Sequence, residues 1–188
     1  GKRILVIGKN GQLGKSLFKV ISDKTIKLKV RNWDFEFVSR DELDLSNLRK
    51  IEEFFQSHKF SVIINCAAYT SVDKAESDIE LANKINHLAV AQLAEAAKKQ
   101  DIPLIHISTD YVFHGQEFKS YKETDKTDPQ NIYGLTKLKG EQVLISSGCT
   151  GTIIRTSWLY SEYGKNFVKT MLDLGKQRDS ISVVNDQF

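Results

Sequence analysis

Tyr133 and Lys137 stand four residues apart in the run Tyr133-Gly134-Leu135-Thr136-Lys137. In a helix, that spacing brings both side chains to one face. A free phenol keeps its proton until about pH 10, and a cation held beside it favours the phenolate. Lys137 can supply that cation. The pair could then give a proton to a carbonyl oxygen, or take one from an alcohol, near neutral pH. The same spacing also suits one buried tyrosine and one solvated lysine, so the rest of the chain must decide.

Two further groups bear on the choice. Ser108-Thr109-Asp110-Tyr111-Val112-Phe113 follows the apolar run 104–107. Ligands of open parallel sheets sit beyond the carboxyl ends of the strands, and a hydroxyl there, such as that of Thr109, can donate to the carbonyl that Tyr133 would protonate. At the start of the chain, Ile4-Leu5-Val6-Ile7 runs into Gly8-Lys9-Asn10-Gly11-Gln12-Leu13-Gly14 and then into an apolar-faced helix candidate, 16–21. Strand, glycine turn and helix in that order let backbone amides and a helix N-terminus hold a dinucleotide pyrophosphate. Hydride transfer beside a nicotinamide needs all three groups, and no shared structural need would put them in this order.

The elements that must position these residues read as alternating strands and helices. Residues 4–7, 35–38, 62–65 and 104–107 are short apolar runs suited to buried parallel strands. Ser46 is a candidate N-cap for a helix whose core face carries Leu48, Ile51, Phe54 and Phe55. Residues 79–99 read as one long alanine-rich helix, whereas 25–30 fit a strand or a loop equally. The order predicts an α/β fold, a doubly wound parallel sheet of Rossmann type. One domain is expected over 1–188, a dinucleotide-binding unit that also carries the catalytic residues. Cys66, Ala67 and Ala68 after the third strand are small enough for an adenine or ribose to lie close.

Ser39-Arg40 falls just after the second strand, where an NAD-preferring protein would carry an acid for the ribose hydroxyl. Arg40, with Lys9, could instead meet a 2′-phosphate. The expectation is therefore NADPH, with NADH as the alternative. In the competing reading, Arg40 pairs with Asp41 or Glu42 on the surface.

Composition narrows the classes. The chain has 188 residues, 40% apolar and 27% charged, with a net charge of +3 spread among acids. That suits one soluble core and gives no basic block for nucleic acid. No apolar run approaches the ~20 residues that span a bilayer. Cys66 and Cys149 are too few for a disulfide framework and read as reduced thiols. With no basic and apolar leader before the first strand, the expected location is cytoplasmic. No metal ligands are assigned.

Several stretches together resemble one family, the dTDP-4-dehydrorhamnose reductases of the extended short-chain dehydrogenase/reductase superfamily. They are 8–14 (GKNGQLG), 42–45 (ELDL), 65–76 (NCAAYTSVDKAE), 108–113 (STDYVF), 133–141 (YGLTKLKGE), 155–160 (RTSWLY), 166–171 (NFVKTM) and 184–188 (VNDQF). The first gap of the glycine pattern is one residue wider than Gly-x-Gly-x-x-Gly, as in that superfamily.

The resemblance implies a cofactor site of Gly8, Gly11, Gln12, Leu13 and Gly14 at the pyrophosphate, with Asp44 and Leu45 beside the adenine. Ala67, Ala68 and Tyr69 would follow the cofactor across the third strand. Thr109 and Tyr133 would hold the C4 oxygen of the sugar, and Lys137 the nicotinamide ribose. Asp110 and Trp158 would contact the deoxysugar, and Asn86 would support a proton relay. His114 stands where the family commonly has Asp. The implied reaction reduces dTDP-4-dehydro-β-L-rhamnose to dTDP-β-L-rhamnose, with a dTDP-sugar as partner and a homodimer compatible.

Family members continue beyond the VNDQF stretch into a substrate lobe that this chain does not include, so cofactor binding with little turnover is expected of it. A 4,6-dehydratase would need an acid at Tyr111. A nucleotide-sugar epimerase needs the same Tyr and Lys and stays open. So does a non-catalytic subunit resembling the regulatory subunit of methionine adenosyltransferase.

Overall fold

In the computed structural model, residues 2–25, 32–113, 126–156, 165–174 and 180–185 are described. The undecided stretch 25–30 falls, apart from Thr25, outside them. Among the described residues six strands form one sheet: β1 (Arg3–Ile7), β2 (Asp34–Val38), β3 (Val62–Asn65), β4 (Leu104–Thr109), β5 (Gly151–Thr156) and β6 (Ile181–Asn185). Their order is β2-β1-β3-β4-β5-β6 and every pair is parallel. The chain direction across the sheet reverses between β1 and β3. That is the topological switch point at which open α/β sheets bind ligands.

Alternation along the strands builds two cores. Leu5, Ile7, Ile63, Leu104 and Ile153 face α2 (Leu48–Ser57), α5 (Ala89–Gln100) and α6 (Ile132–Ser147). Ile4, Val6, Val62, Ile64, Ile105 and Ile154 face α1 (Gln12–Ser22) and α7 (Lys165–Leu174). Helices on both faces make the sheet doubly wound, as the apolar runs predict. α1 buries Leu13, Leu17 and Val20, one helical stripe, against the second core.

Two local expectations are corrected. The N-cap of α2 is Asn47, whose side chain accepts from the backbone N–H of Lys50. Ser46 instead gives its hydroxyl to Asp44, at 2.7 Å. The single helix expected over 79–99 is interrupted. After the short α3 (Val72–Ser77), α4 (Ile79–Asn83) passes through a π-helical turn, Lys84–Leu88, into α5. α5 ends at Asp101 in the left-handed conformation, φ 52°, just before Pro103.

α6 is the element the site depends on. Its N-cap is Asn131, whose Oδ1 accepts from the Gly134 N–H at 2.7 Å, and it ends at Gly148, φ 79°. Its buried face carries Tyr133, Lys137 and Glu141 at spacings of four, beside Thr136, Gly140 and Leu144. A polar stripe of that kind is costly to bury unless each group finds a partner. Among the described residues no helix is long and apolar enough to cross a membrane.

Candidate active site

A cleft of about 680 Å³ opens at the switch point, across the carboxyl ends of β1, β2, β3, β4 and β5. Its floor is the glycine turn. Gly8 has φ +96°, a conformation open to glycine, and a Cβ there would strike the backbone of Cys66 and Ala67. A Cβ on Gly14 would collide with the Gly8 carbonyl, so Gly14 allows the turn to fold under the start of α1. The backbone N–H groups of Gly8 and Lys9 both donate to Val38 O at 3.1 Å, which stitches the turn to the end of β2. Gly8, Gly11, Gln12 and Leu13 line the cleft, whereas Gly14 supports it from below.

The adjoining wall holds Ser39, Arg40, Asp44 and Leu45. Asp44 accepts from the Ser46 N–H at 2.9 Å and from its hydroxyl. These bonds, helped by the Arg40 charge, hold its carboxyl below the ordinary aspartate value. Arg40 is exposed. The Glu42 carboxylate, one of the two surface acids considered for Arg40, accepts from the N–H and hydroxyl of Ser39.

On the β3 side, Ala67, Ala68 and Tyr69 line the cleft. Asn65 steadies that strand end by accepting from the Ala67 N–H at 3.1 Å. Tyr69 is clamped by Asn86 in the π-helical turn, with Tyr69 N–H to Oδ1 at 2.9 Å and Nδ2 to Tyr69 O at 3.3 Å. The same Nδ2 reaches Thr136 Oγ1 at 3.1 Å. The Asn86 side chain is thus committed to holding Tyr69 against α6. A Cβ at Gly140 would collide with the Asn86 carbonyl, so α6 and the turn touch backbone to backbone.

Tyr133 and Lys137 both face the cleft. Tyr133 is buried and packs edge-on against Tyr111, ring centroids 5.6 Å apart. Lys137 is 1% exposed, and its Nζ donates to the Ile107 carbonyl at 2.7 Å. Loss of hydration lowers its pKa to about 8, against the opposing pull of the Glu141 carboxylate. At neutral pH the amine is still mostly cationic. The Cys66 thiol beside it is pushed up to about 12 by burial, so it stays protonated and unreactive. Burial, with the Lys137 charge, pushes His106 well below the ordinary imidazole value and keeps it neutral.

Ile107 and Ser108 form the β4 wall of the cleft. Thr109, one residue on, is fully buried, and its Oγ1 accepts from the Tyr111 N–H at 3.1 Å, starting the 3₁₀ turn Asp110–Val112. The Asp110 side chain, His114 and Trp158 lie outside the described residues. Among the described residues no group of three or more His, Cys, Asp or Glu could hold a metal ion.

One buried network carries no role in the sequence reading. Glu141 accepts from the Ser108 hydroxyl at 2.5 Å and from Arg155 Nη2 at 2.6 Å and Nε at 3.1 Å. The Arg155 guanidinium also lies over the Phe113 ring, 5.0 Å from its centroid. Lys137 and Glu141, one turn apart on α6, therefore grip consecutive residues of β4, Ile107 and Ser108. The signal was present in the YGLTKLKGE run, where the spacing of four from Tyr133 to Lys137 repeats from Lys137 to Glu141.

The match to a family model decides where the chain belongs. The model described as the RmlD substrate binding domain matches residues 2–188. The chain belongs to this family. It is 45% identical over 188 residues to a dTDP-4-dehydrorhamnose reductase of Aggregatibacter actinomycetemcomitans, covering 99% of this chain and 61% of that protein. Among solved structures, a dTDP-4-dehydrorhamnose reductase of Clostridium acetobutylicum superposes with a TM-score of 0.75 at 41% identity, covering 93% of this chain and 59% of that one. The reductase from Bacillus anthracis, solved in complex with NADP, gives 0.75 at 40% identity, covering 94% and 61%. This RmlD-family chain therefore spans about 60% of the length of these relatives.

Proposed function

We propose that the chain forms the dinucleotide-binding and catalytic part of a dTDP-4-dehydrorhamnose reductase that uses NADPH and works in dTDP-rhamnose synthesis. One observation carries the reading: a buried tyrosine and a buried cationic lysine open onto the cleft whose floor is the glycine turn. The chain is also 40–45% identical to proteins named for that reaction. The unpaired cysteines, Cys66 and Cys149, fit a cytoplasmic setting.

Gly8, Gly11, Gln12 and Leu13 would present backbone to the pyrophosphate, and Gly14 would let that turn close. Arg40, Asp44 and Leu45 would flank the adenosine, and Ala67, Ala68 and Tyr69 the middle of the dinucleotide. When bound, NADPH supplies the hydride that joins C4 of dTDP-4-dehydro-β-L-rhamnose. Tyr133 gives its phenolic proton to the C4 oxygen, so the ketone becomes an alcohol and the phenolate regains a proton from solvent. Lys137 stabilises both the developing alkoxide and the phenolate, and Thr109 donates to the same oxygen. Each such donor typically contributes a few kcal/mol in a water-excluded site. Asp110 and Trp158 would hold the sugar ring.

The test has two stages. The 188-residue chain should bind NADPH, seen as a change in nicotinamide fluorescence. A fusion carrying the C-terminal part of the Clostridium acetobutylicum relative should oxidise NADPH only when the 4-keto sugar is added. Tyr133→Phe in that fusion should lose turnover and keep NADPH affinity. Equal turnover by the variant would reject the role given to Tyr133.

A further inference from the structure

The end of β2 holds an arrangement that composition alone did not reveal. Residues 39–43 form a turn in which the Glu42 and Leu43 N–H groups donate to Ser39 O at 3.2 and 3.0 Å. Glu42 folds back, and its Oε2 accepts from the Ser39 N–H at 2.8 Å and from the Ser39 hydroxyl. Ser39 in turn accepts from the Asp41 N–H at 3.3 Å. The pattern is a capping box without a long helix behind it. It brings an exposed carboxylate against Ser39, itself a lining residue of the cleft, although the acid lies three residues later in the chain.

This corner is where the adenosine ribose meets an open α/β sheet, an acid serving a 2′-hydroxyl and cations serving a 2′-phosphate. Arg40 and Lys9 both line the cleft here, and the Lys9 N–H is tied to Val38 O at the end of β2. Lys9 is close enough to help hold the Glu42 carboxyl below the ordinary glutamate value, after the two Ser39 bonds that dominate that shift. Two cations therefore favour a phosphate, while the two Ser39 donors that would bind one are already given to Glu42.

Resting on the cofactor reading above, we propose that Glu42 sets the dinucleotide selectivity of this cleft. Its carboxylate accepts a 2′-hydroxyl but must release Ser39 and withdraw before a 2′-phosphate can settle between Arg40 and Lys9. The site therefore restrains NADPH relative to NADH, and Glu42 is the brake. A cap of purely structural use would leave selectivity untouched.

The experiment compares dissociation constants for NADPH and NADH, read by nicotinamide fluorescence, on the 188-residue chain and on Glu42→Gln. Glutamine keeps an acceptor for the Ser39 N–H and removes the charge, and the position is exposed, so the fold is retained. The preference for NADPH over NADH should rise on the order of 3- to 10-fold. Glu53→Gln, the same charge change at an exposed position on α2, should leave the ratio as it was. Adenosine 2′,5′-bisphosphate and adenosine 5′-monophosphate, which lack the nicotinamide, should show the same divergence. An unchanged ratio in Glu42→Gln with both dinucleotides still bound would overturn the inference alone. So would an equal shift in Glu53→Gln, or an equal loss of both affinities with a lowered melting temperature. Failure of the unsubstituted chain to bind either dinucleotide would overturn the cofactor reading, and the inference with it.

Discussion

Lys137 Nζ donates to the Ile107 carbonyl over 2.7 Å, from a side chain that is 1% exposed. A cation held this way is costly to bury, and the cost varies with pH. Its pKa is lowered from 10.5 to about 8, chiefly by loss of hydration. Well below pH 8 the amine is charged in both the folded and unfolded chain, so the folded chain bears the whole penalty. Between 8 and 10.5 the folded chain has released a proton that the unfolded chain still binds, so stability from this group rises with pH. Relative to Lys137→Met, the unsubstituted chain should therefore gain about 3 kcal/mol between pH 8 and 10.5. Urea denaturation of both proteins across that range checks it, and a constant difference would contradict the burial.

The Glu141–Arg155 pair should behave as a buried ion pair does when broken from one side. Glu141→Gln leaves the Arg155 guanidinium, 5% exposed, without its carboxylate. The expected cost is about 3–5 kcal/mol in urea denaturation, with much of it recovered in Glu141→Gln/Arg155→Met. Because Glu141 supports the Lys137 charge, the single variant should also move the lysine titration to lower pH.

Gly140 within α6 and Gly148, its C-cap, separate close packing from backbone conformation. Gly140→Ala places a methyl group against the Asn86 carbonyl and forces α6 away from the π-helical turn. It should cost about 1–3 kcal/mol and weaken NADPH binding, because Tyr133 and Lys137 move with the helix. Gly148→Ala, at φ +79° with Lys98 Nζ 3.9 Å from the added carbon, should cost about 1 kcal/mol and leave NADPH affinity unchanged. Paired melting curves and fluorescence titrations distinguish the two.

Four of the six described strands, β1 to β4, were legible because they are short apolar runs, whereas β5 (GTIIRT) and β6 (ISVVN) mix polar residues into the run and were not read as strands. The glycine turn, the β4 hydroxyls and Tyr133 with Lys137 could be placed because each follows directly on such a run or sits at helical spacing. What the sequence hid depends on longer-range contacts. Nothing in the alanine-rich stretch 79–99 marks the π-helical turn, which accompanies the Asn86 clamp on Tyr69 and the backbone contact with Gly140. Ser46 and Asn47 are both competent N-caps, and the choice fell to Asn47 because Asp44 takes the Ser46 hydroxyl. That Glu42 carries its carboxylate back to Ser39 is visible only in the fold-back of the 39–43 turn.

The account turns on Tyr133 facing the reduced nicotinamide across the cleft. The most direct measurement is magnetisation transfer, by nuclear Overhauser effect, from tyrosine ring protons to the C4 hydrogens of NADPH bound to the 188-residue chain. Tyr133→Phe, prepared with only its tyrosines protonated, serves as the blank. The expected result is transfer to the C4 hydrogens in the unsubstituted chain and none in the variant. NADPH bound with the same transfer in both proteins, or with none in either, would contradict it.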